Sequence, residues 1–212
     1  MRILFDLETI VRLFNSFFTM GIGLLLAYMY LGKKARIISI LAWSIAFMLY
    51  GLEILVRVWY PWGIETLIIG IPMGLLLVLG TSNLLRKNRI YSVVSLVALV
   101  VIVYLALASV SDAWYRSGGF AFFGIMTIAV VHLRMVIGKL ANRFIAGWLT
   151  LLIANVFFVA IFSLEWAADL AAIPAKALIA LGMFDQRFAR MILDIKEIYE
   201  AYSKTQVKRH IV

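Results

Sequence analysis

Residues 165–202 read EWAADLAAIPAKALIALGMF followed by DQRFARMILDIKEIYEAY, and the reading of this stretch decides the fold. The first half is an apolar run long enough, as a helix, to cross a hydrocarbon core of roughly 30 Å. It carries a single lysine, Lys176, near its middle. In the second half Phe188, Met191, Ile192, Ile195, Ile198, Tyr199 and Tyr202 recur at helical spacing, and Arg187, Arg190, Asp194, Lys196, Glu197 and Glu200 fill the remainder. That pattern predicts an amphipathic helix of roughly five turns. It either lies on the cytoplasmic leaflet or engages a signalling partner or a second copy of the chain through 185–204. A cation set in the membrane is thereby joined to a lever outside it.

The rest of the chain has the same character. Of 212 residues, 65% are hydrophobic and 15% charged, a balance that a soluble domain of this length has no use for. The expected class is all-α, a polytopic membrane protein. There is no cysteine, so disulfides and thiolate metal sites are excluded. Asn and Gln are scarce, which fits a thermophile. The N-terminus, MRILFDLETIVRLF, has no basic leader and no small-residue cleavage site, so its apolar run is expected to stay as a membrane helix.

Seven segments meet the length requirement of about 20 apolar residues: 10–31, 37–60, 64–84, 90–110, 119–138, 144–164 and 166–184. Their connections are short, which predicts an up-and-down bundle and leaves no room for an extramembrane catalytic domain. The cations sort by side. Fifteen (Lys33, Lys34, Arg36, Arg86, Lys87, Arg89, Arg134, Lys139, Arg143 and six in the tail) fall on one side, and Arg2, Arg12, Arg57 and Arg116 on the other. The positive-inside rule then puts the N-terminus out and the C-terminus in. The net charge of +9 reflects this sidedness, not nucleic-acid binding. Trp59, Tyr60, Trp62, Trp114, Tyr115 and Trp166 mark the outer interface. Residues 1–184 are thus expected to form a seven-transmembrane-helix domain in the cell membrane, in contact with the lipid bilayer, and 185–212 a cytoplasmic amphipathic helix and tail. Gly70-x-x-x-Gly74 and the alanines 168, 171, 172 and 175 offer small-residue packing surfaces.

Ionisable groups at membrane depth are costly and mark candidate sites. Lys176 lies about 15 Å along its helix, near the midplane. Its candidate partners are Asp169 on the same face, Glu53 with Arg57 at i+4, Glu65 nearer the outer rim, and Asn155 near the midplane of segment six. Together they suggest an outward-opening polar pocket among segments two, three, six and seven, or a set of structural ion pairs. Polar groups thin out toward the cytoplasmic half, where only Thr127 and His132 stand out, so a one-sided site is favoured over a through-path. His132 and His210 cannot make a bis-His haem pair, and there is no Walker A, H-E-x-x-H or G-x-S-x-G motif, so the chain is not expected to be an enzyme.

Gly21-Ile-Gly23, the basic loop after it, Ser44-Ile-Ala-Phe-Met-Leu-Tyr50, Pro72 and Ala175-Lys176 resemble the microbial rhodopsins. That resemblance implies seven helices and a Schiff base between Lys176 and retinal, with carboxylates on the third and seventh helices as counterions. The chain departs from the family at Ala172, where an Asp is expected, in the missing Arg-x-x-Asp-Trp run, and at Leu152–Phe158, which lacks Trp-x-x-Tyr-Pro. It is equally similar to the seven-helix sensor regions that precede prokaryotic signalling domains. The reading adopted is a receptor-like or sensor-like protein of rhodopsin-type architecture that signals through its C-terminal helix. A retinal-binding photoreceptor or pump and a small transporter or channel stay open as alternatives.

Overall fold

The computed structural model describes residues 6–32, 38–60, 64–85, 112–161 and 164–185, with seven further residues between 93 and 104. Six helices are described: α1 (Leu7–Leu31), α2 (Ile38–Arg57), α3 (Ile64–Leu85), α4 (Asp112–Ile137), α5 (Asn142–Ala154) and α6 (Glu165–Phe184). No strand occurs among the described residues. The fourth predicted segment is represented only by 93–94, 96–97, 100–101 and 104, all helical and exposed. The predicted amphipathic helix after Asp185 and the basic residues at 33–36 and 86–89 lie outside the described residues.

Several helices run past the apolar windows that predicted them, because caps and turns set their ends. Helix α1 starts at Leu7, three residues before the apolar run, since the Asp6 carboxylate accepts a 2.8 Å hydrogen bond from the Thr9 amide. That bond lies outside the membrane-spanning part and holds the Asp6 carboxyl below its ordinary value. Helix α4 ends at Gly138, whose φ of 61° turns the chain into a short 3₁₀ stretch, Gly138–Ala141, that leads straight into α5. Helix α5 does not stop at Ala154. It continues as a π-helical segment, Asn155–Ile161.

Among the described residues three helices, α1, α2 and α6, are long and apolar enough to cross a membrane. The chain is a membrane protein, and these helices meet lipid. The side chains agree: Leu7, Ile10, Phe14, Phe17, Leu24 and Tyr28 of α1 point outward, while Arg12, Asn15, Ser16 and Thr19 of the same helix point inward. Exposed apolar faces of this extent need lipid or a partner, and the polar groups they enclose must satisfy one another.

Around the bundle the neighbours run α3, α2, α1, α6, α5, α4, and α4 also touches α3. The α1–α2 contact is the closest. Ser16 Oγ donates to the Gly51 carbonyl at 2.6 Å, and Ser44 Oγ donates to the Gly23 carbonyl at 2.8 Å. A Cβ on Gly23 would lie 2.8 Å from the Ser44 backbone carbonyl oxygen, and one on Gly51 2.7 Å from the Ser16 backbone carbonyl oxygen. The two glycines let the backbones approach, and the two serines bond across the gap. On the other flank Gly147 of α5 meets the Ala175 carbonyl of α6, with Ala168, Ala172 and Ala175 buried. The Gly70-x-x-x-Gly74 pattern singled out in the sequence is not used this way at Gly70, where a Cβ would have nothing within 4 Å.

Candidate functional site: a buried charge network on α1, α2 and α6

Lys176 is fully buried and its ammonium points at α1 and α2. Nζ donates to Asn15 Oδ1 at 2.7 Å and to Thr19 Oγ1 at 2.9 Å, and sits 3.9 Å from the centre of the Tyr50 ring. Among the described residues it makes no direct ion pair. Its link to a carboxylate runs through Asn15, whose Nδ2 donates to Asp169 Oδ1 at 2.9 Å. One carboxamide thus serves an ammonium with its oxygen and a carboxylate with its nitrogen.

Asp169 is approached by both arginines, Arg57 Nη2 at 3.6 Å from Oδ1 and Arg12 Nε at 3.6 Å from Oδ2. These distances are too long for hydrogen bonds, so the attraction there is coulombic, and Arg12 Nε and Asp169 Oδ2 are buried without a hydrogen-bond partner. Each arginine has closer carboxylates. Arg12 pairs with Glu8 at 2.5 Å and Glu165 at 3.1 Å, and Arg57 with Glu53 at 3.0 Å. Arg12 Nη1 also donates to the Arg57 carbonyl at 3.4 Å. Arg12, Arg57 and Lys176 therefore face Glu53, Asp169 and Glu165 inside the bundle, and Glu8 completes the network at its more exposed rim. Balanced charge is what makes such a cluster tolerable, because an isolated charge at this depth costs several kcal/mol.

The local sequence explains the placement. Glu8, Arg12, Asn15, Ser16, Thr19 and Gly23 are spaced by three or four residues and so share one face of α1. Tyr50, Glu53 and Arg57 share a face of α2, and Glu165, Asp169 and Lys176 a face of α6. The antiparallel arrangement brings the start of α1, the end of α2 and the start of α6 to one end of the bundle.

Of the residues singled out in the sequence, Lys176, Asp169, Glu53 and Arg57 are brought together. Asn155 is not. Its Nδ2 donates to the Leu151 carbonyl of its own helix at 2.8 Å, where the π-helical segment begins. The side chain of Glu65 lies outside the described residues. Arg12, Asn15, Thr19, Tyr50 and Glu165 complete the network and were not among the candidates. The polar site expected among segments two, three, six and seven is instead built on one, two and seven, which are α1, α2 and α6. In the remainder of the described bundle Thr81, Thr127 and Thr150 each donate to the carbonyl four residues earlier, so they extend no relay.

A retinal Schiff base at Lys176 does not fit these residues. Asn15, Thr19 and the Tyr50 ring enclose Nζ, and on the far side Gly147 brings α5 so near that a Cβ there would lie 2.6 Å from the Ala175 oxygen. An extended polyene on Nζ would have to occupy positions these groups hold. No cluster of three or more histidine or acidic side chains suited to a metal ion occurs among the described residues. No family model, curated protein or solved structure matches the chain.

Proposed function

We propose that the chain is a receptor-like or sensor-like integral membrane protein of seven helices and rhodopsin-type architecture, set in the cell membrane with its N-terminus outside. The network on α1, α2 and α6 is its input, and 185–204 its output. The observation that carries this reading is the ammonium of Lys176, buried and bonded to α1, on the very helix that continues into the amphipathic segment. A change in the network is felt by α6, and the C-terminal end of α6 leads directly into 185–204. The one-ended distribution of the relay favours sensing over conduction. The gathering of Glu8, Glu53, Glu165 and Asp169 at the end away from Arg134 and Arg143 agrees with the charge asymmetry that orients the chain.

The chain has no cysteine, so one introduced residue can be labelled cleanly. A spin label at Ile192→Cys should change mobility when Asn15→Leu removes one of the two α1 bonds to Lys176 and its link to Asp169. An identical spectrum in both backgrounds, with the helix content intact, would remove the proposed coupling.

A further inference from the structure

The groups that hold the Lys176 head have the chemistry of an ammonium receptor. An ammonium has three N–H donors and no acceptor. Asn15 Oδ1 and Thr19 Oγ1 take two of the donors, and the Tyr50 ring face attracts the charge through its quadrupole. Both oxygens are fixed as acceptors. The Thr19 hydroxyl gives its own proton to the Asn15 backbone carbonyl at 2.5 Å, and the Asn15 side-chain amide gives a proton to Asp169. Asp169 supplies the compensating charge one residue away, braced by Arg12 and Arg57. All three groups in contact with Nζ belong to α1 and α2, whereas the ammonium arrives from α6. The receptor and its occupant are thus on separate helices, as they would be on separate molecules.

We propose that Asn15, Thr19 and Tyr50 form a binding site for primary ammonium ions that Lys176 occupies from within the chain, and that removing this side chain opens the site to a free alkylammonium ion. Resting on the sensor reading, the occupied site is the latch that holds α6 to the α1–α2 pair, and departure of the ammonium is the event that frees α6.

The test is chemical rescue of Lys176→Ala, purified in detergent micelles and followed by thermal unfolding. Methyl-, ethyl- and n-propylammonium chloride are titrated in, with sodium chloride as the ionic-strength control and tetramethylammonium chloride as a cation without donors. The primary ammonium ions should raise the midpoint saturably, by about 5–10 °C at a hundredfold excess over the dissociation constant. The largest effect should come from n-propylammonium, which replaces the atoms removed beyond Cβ. Adding Thr19→Val or Asn15→Leu to Lys176→Ala should abolish the response. No response, an equal response to tetramethylammonium or sodium, or a response indifferent to the second substitution would each overturn the proposal.

Should Lys176→Ala fail to fold, the intact chain decides. With ¹⁵N-labelled lysine, one ammonium resonance should show protons protected from solvent exchange and should lose that protection in Thr19→Val, and absence of such a resonance would overturn the site. Rescue without movement of a label at Ile192→Cys would leave the ammonium site standing and remove the sensor reading.

Discussion

Replacing Asn15 by Leu tests the network at its narrowest point. The side chains share the same branching and the same number of non-hydrogen atoms, so the substitution removes hydrogen bonds while keeping the shape, with two methyls taking somewhat more room. Two short bonds go, Lys176 Nζ to Asn15 Oδ1 at 2.7 Å and Asn15 Nδ2 to Asp169 Oδ1 at 2.9 Å, together with a longer one from Thr19 Oγ1 to Asn15 Oδ1 at 3.3 Å. Neutral hydrogen bonds between helices in membranes average only about 0.6 kcal/mol, because the separated helices find other partners. Both short bonds here involve a charged group, for which about 1.5–3 kcal/mol each is the better guide. The charges are also left behind: Lys176 keeps one hydroxyl and a ring face, and Asp169 keeps arginines at 3.6 Å. A loss of roughly 3–5 kcal/mol is therefore expected, the size found when one partner of a buried charged pair is removed. The assay is reversible unfolding of the purified protein in mixed micelles, with Lys176→Met and the double variant as the other corners of a cycle. Because Asn15 and Lys176 act through one shared bond, the double variant should lose less than the sum by about 1–3 kcal/mol. A single-variant loss below about 1 kcal/mol, or strict additivity, would refute the claim that Asn15 carries the link between Lys176 and Asp169.

Other outcomes follow from the same geometry. Gly51→Ala should push α1 from α2, since its Cβ would lie 2.7 Å from the Ser16 backbone carbonyl oxygen, and should lower stability by about 1–3 kcal/mol, whereas Gly70→Ala, with nothing within 4 Å, should be neutral or mildly stabilising in the same unfolding assay. Asp6→Ala should fray the first turn of α1, read as faster hydrogen exchange at the Thr9 amide. The sign of its pH dependence follows from the lowered value of Asp6: the cap is present in full above the ordinary carboxylate range and is lost as pH falls through the folded value, a dependence that Asp6→Asn should erase. Arg143→Ala removes an ion pair to Asp185 at 3.5 Å, but with the arginine side chain 56% exposed the loss should stay within about 1 kcal/mol and shrink further in salt.

Lys176, Asp169 and the Glu53–Arg57 pair were legible because they are ionisable groups at membrane depth, and depth is a property of position along a helix. Rotation about the helix axis is not, and rotation decided the rest. Asn155 stands at a plausible depth but turns back onto its own helix, where its side chain donates to the Leu151 carbonyl that its own backbone amide also reaches. Arg12, read only as a charge that marks a side of the membrane, turns inward to meet Glu165 and Asp169. The polar stripe Glu8, Arg12, Asn15, Ser16, Thr19 was readable, since a run of inward positions at this spacing in an apolar helix has to be enclosed. Tyr50 carried no such signal, as its place follows from how α2 is set against α6. The same limit applies to the glycines. A small-residue pattern at 70 and 74 looks like a contact surface, but a Cβ at Gly70 would meet nothing within 4 Å, whereas close approaches occur at 23, 51, 80 and 147, each of which depends on what the neighbouring helix presents.

The locations of the groups around Nζ also set an order of events during synthesis. Asn15, Thr19 and Tyr50 all belong to the first two helices to be made, and the reciprocal Ser16–Gly51 and Ser44–Gly23 bonds let that hairpin close as soon as α2 is complete. Lys176 follows Asn15 by 161 residues and Thr19 by 157. Throughout that interval the hairpin carries the ammonium's three partners unfilled, with Asn15, Arg12 and Arg57 awaiting Asp169. The arrival of α6 delivers the ammonium and the missing carboxylate together, so a chain that has not yet received its last described helix is chemically distinguishable, within the bilayer, from one that has.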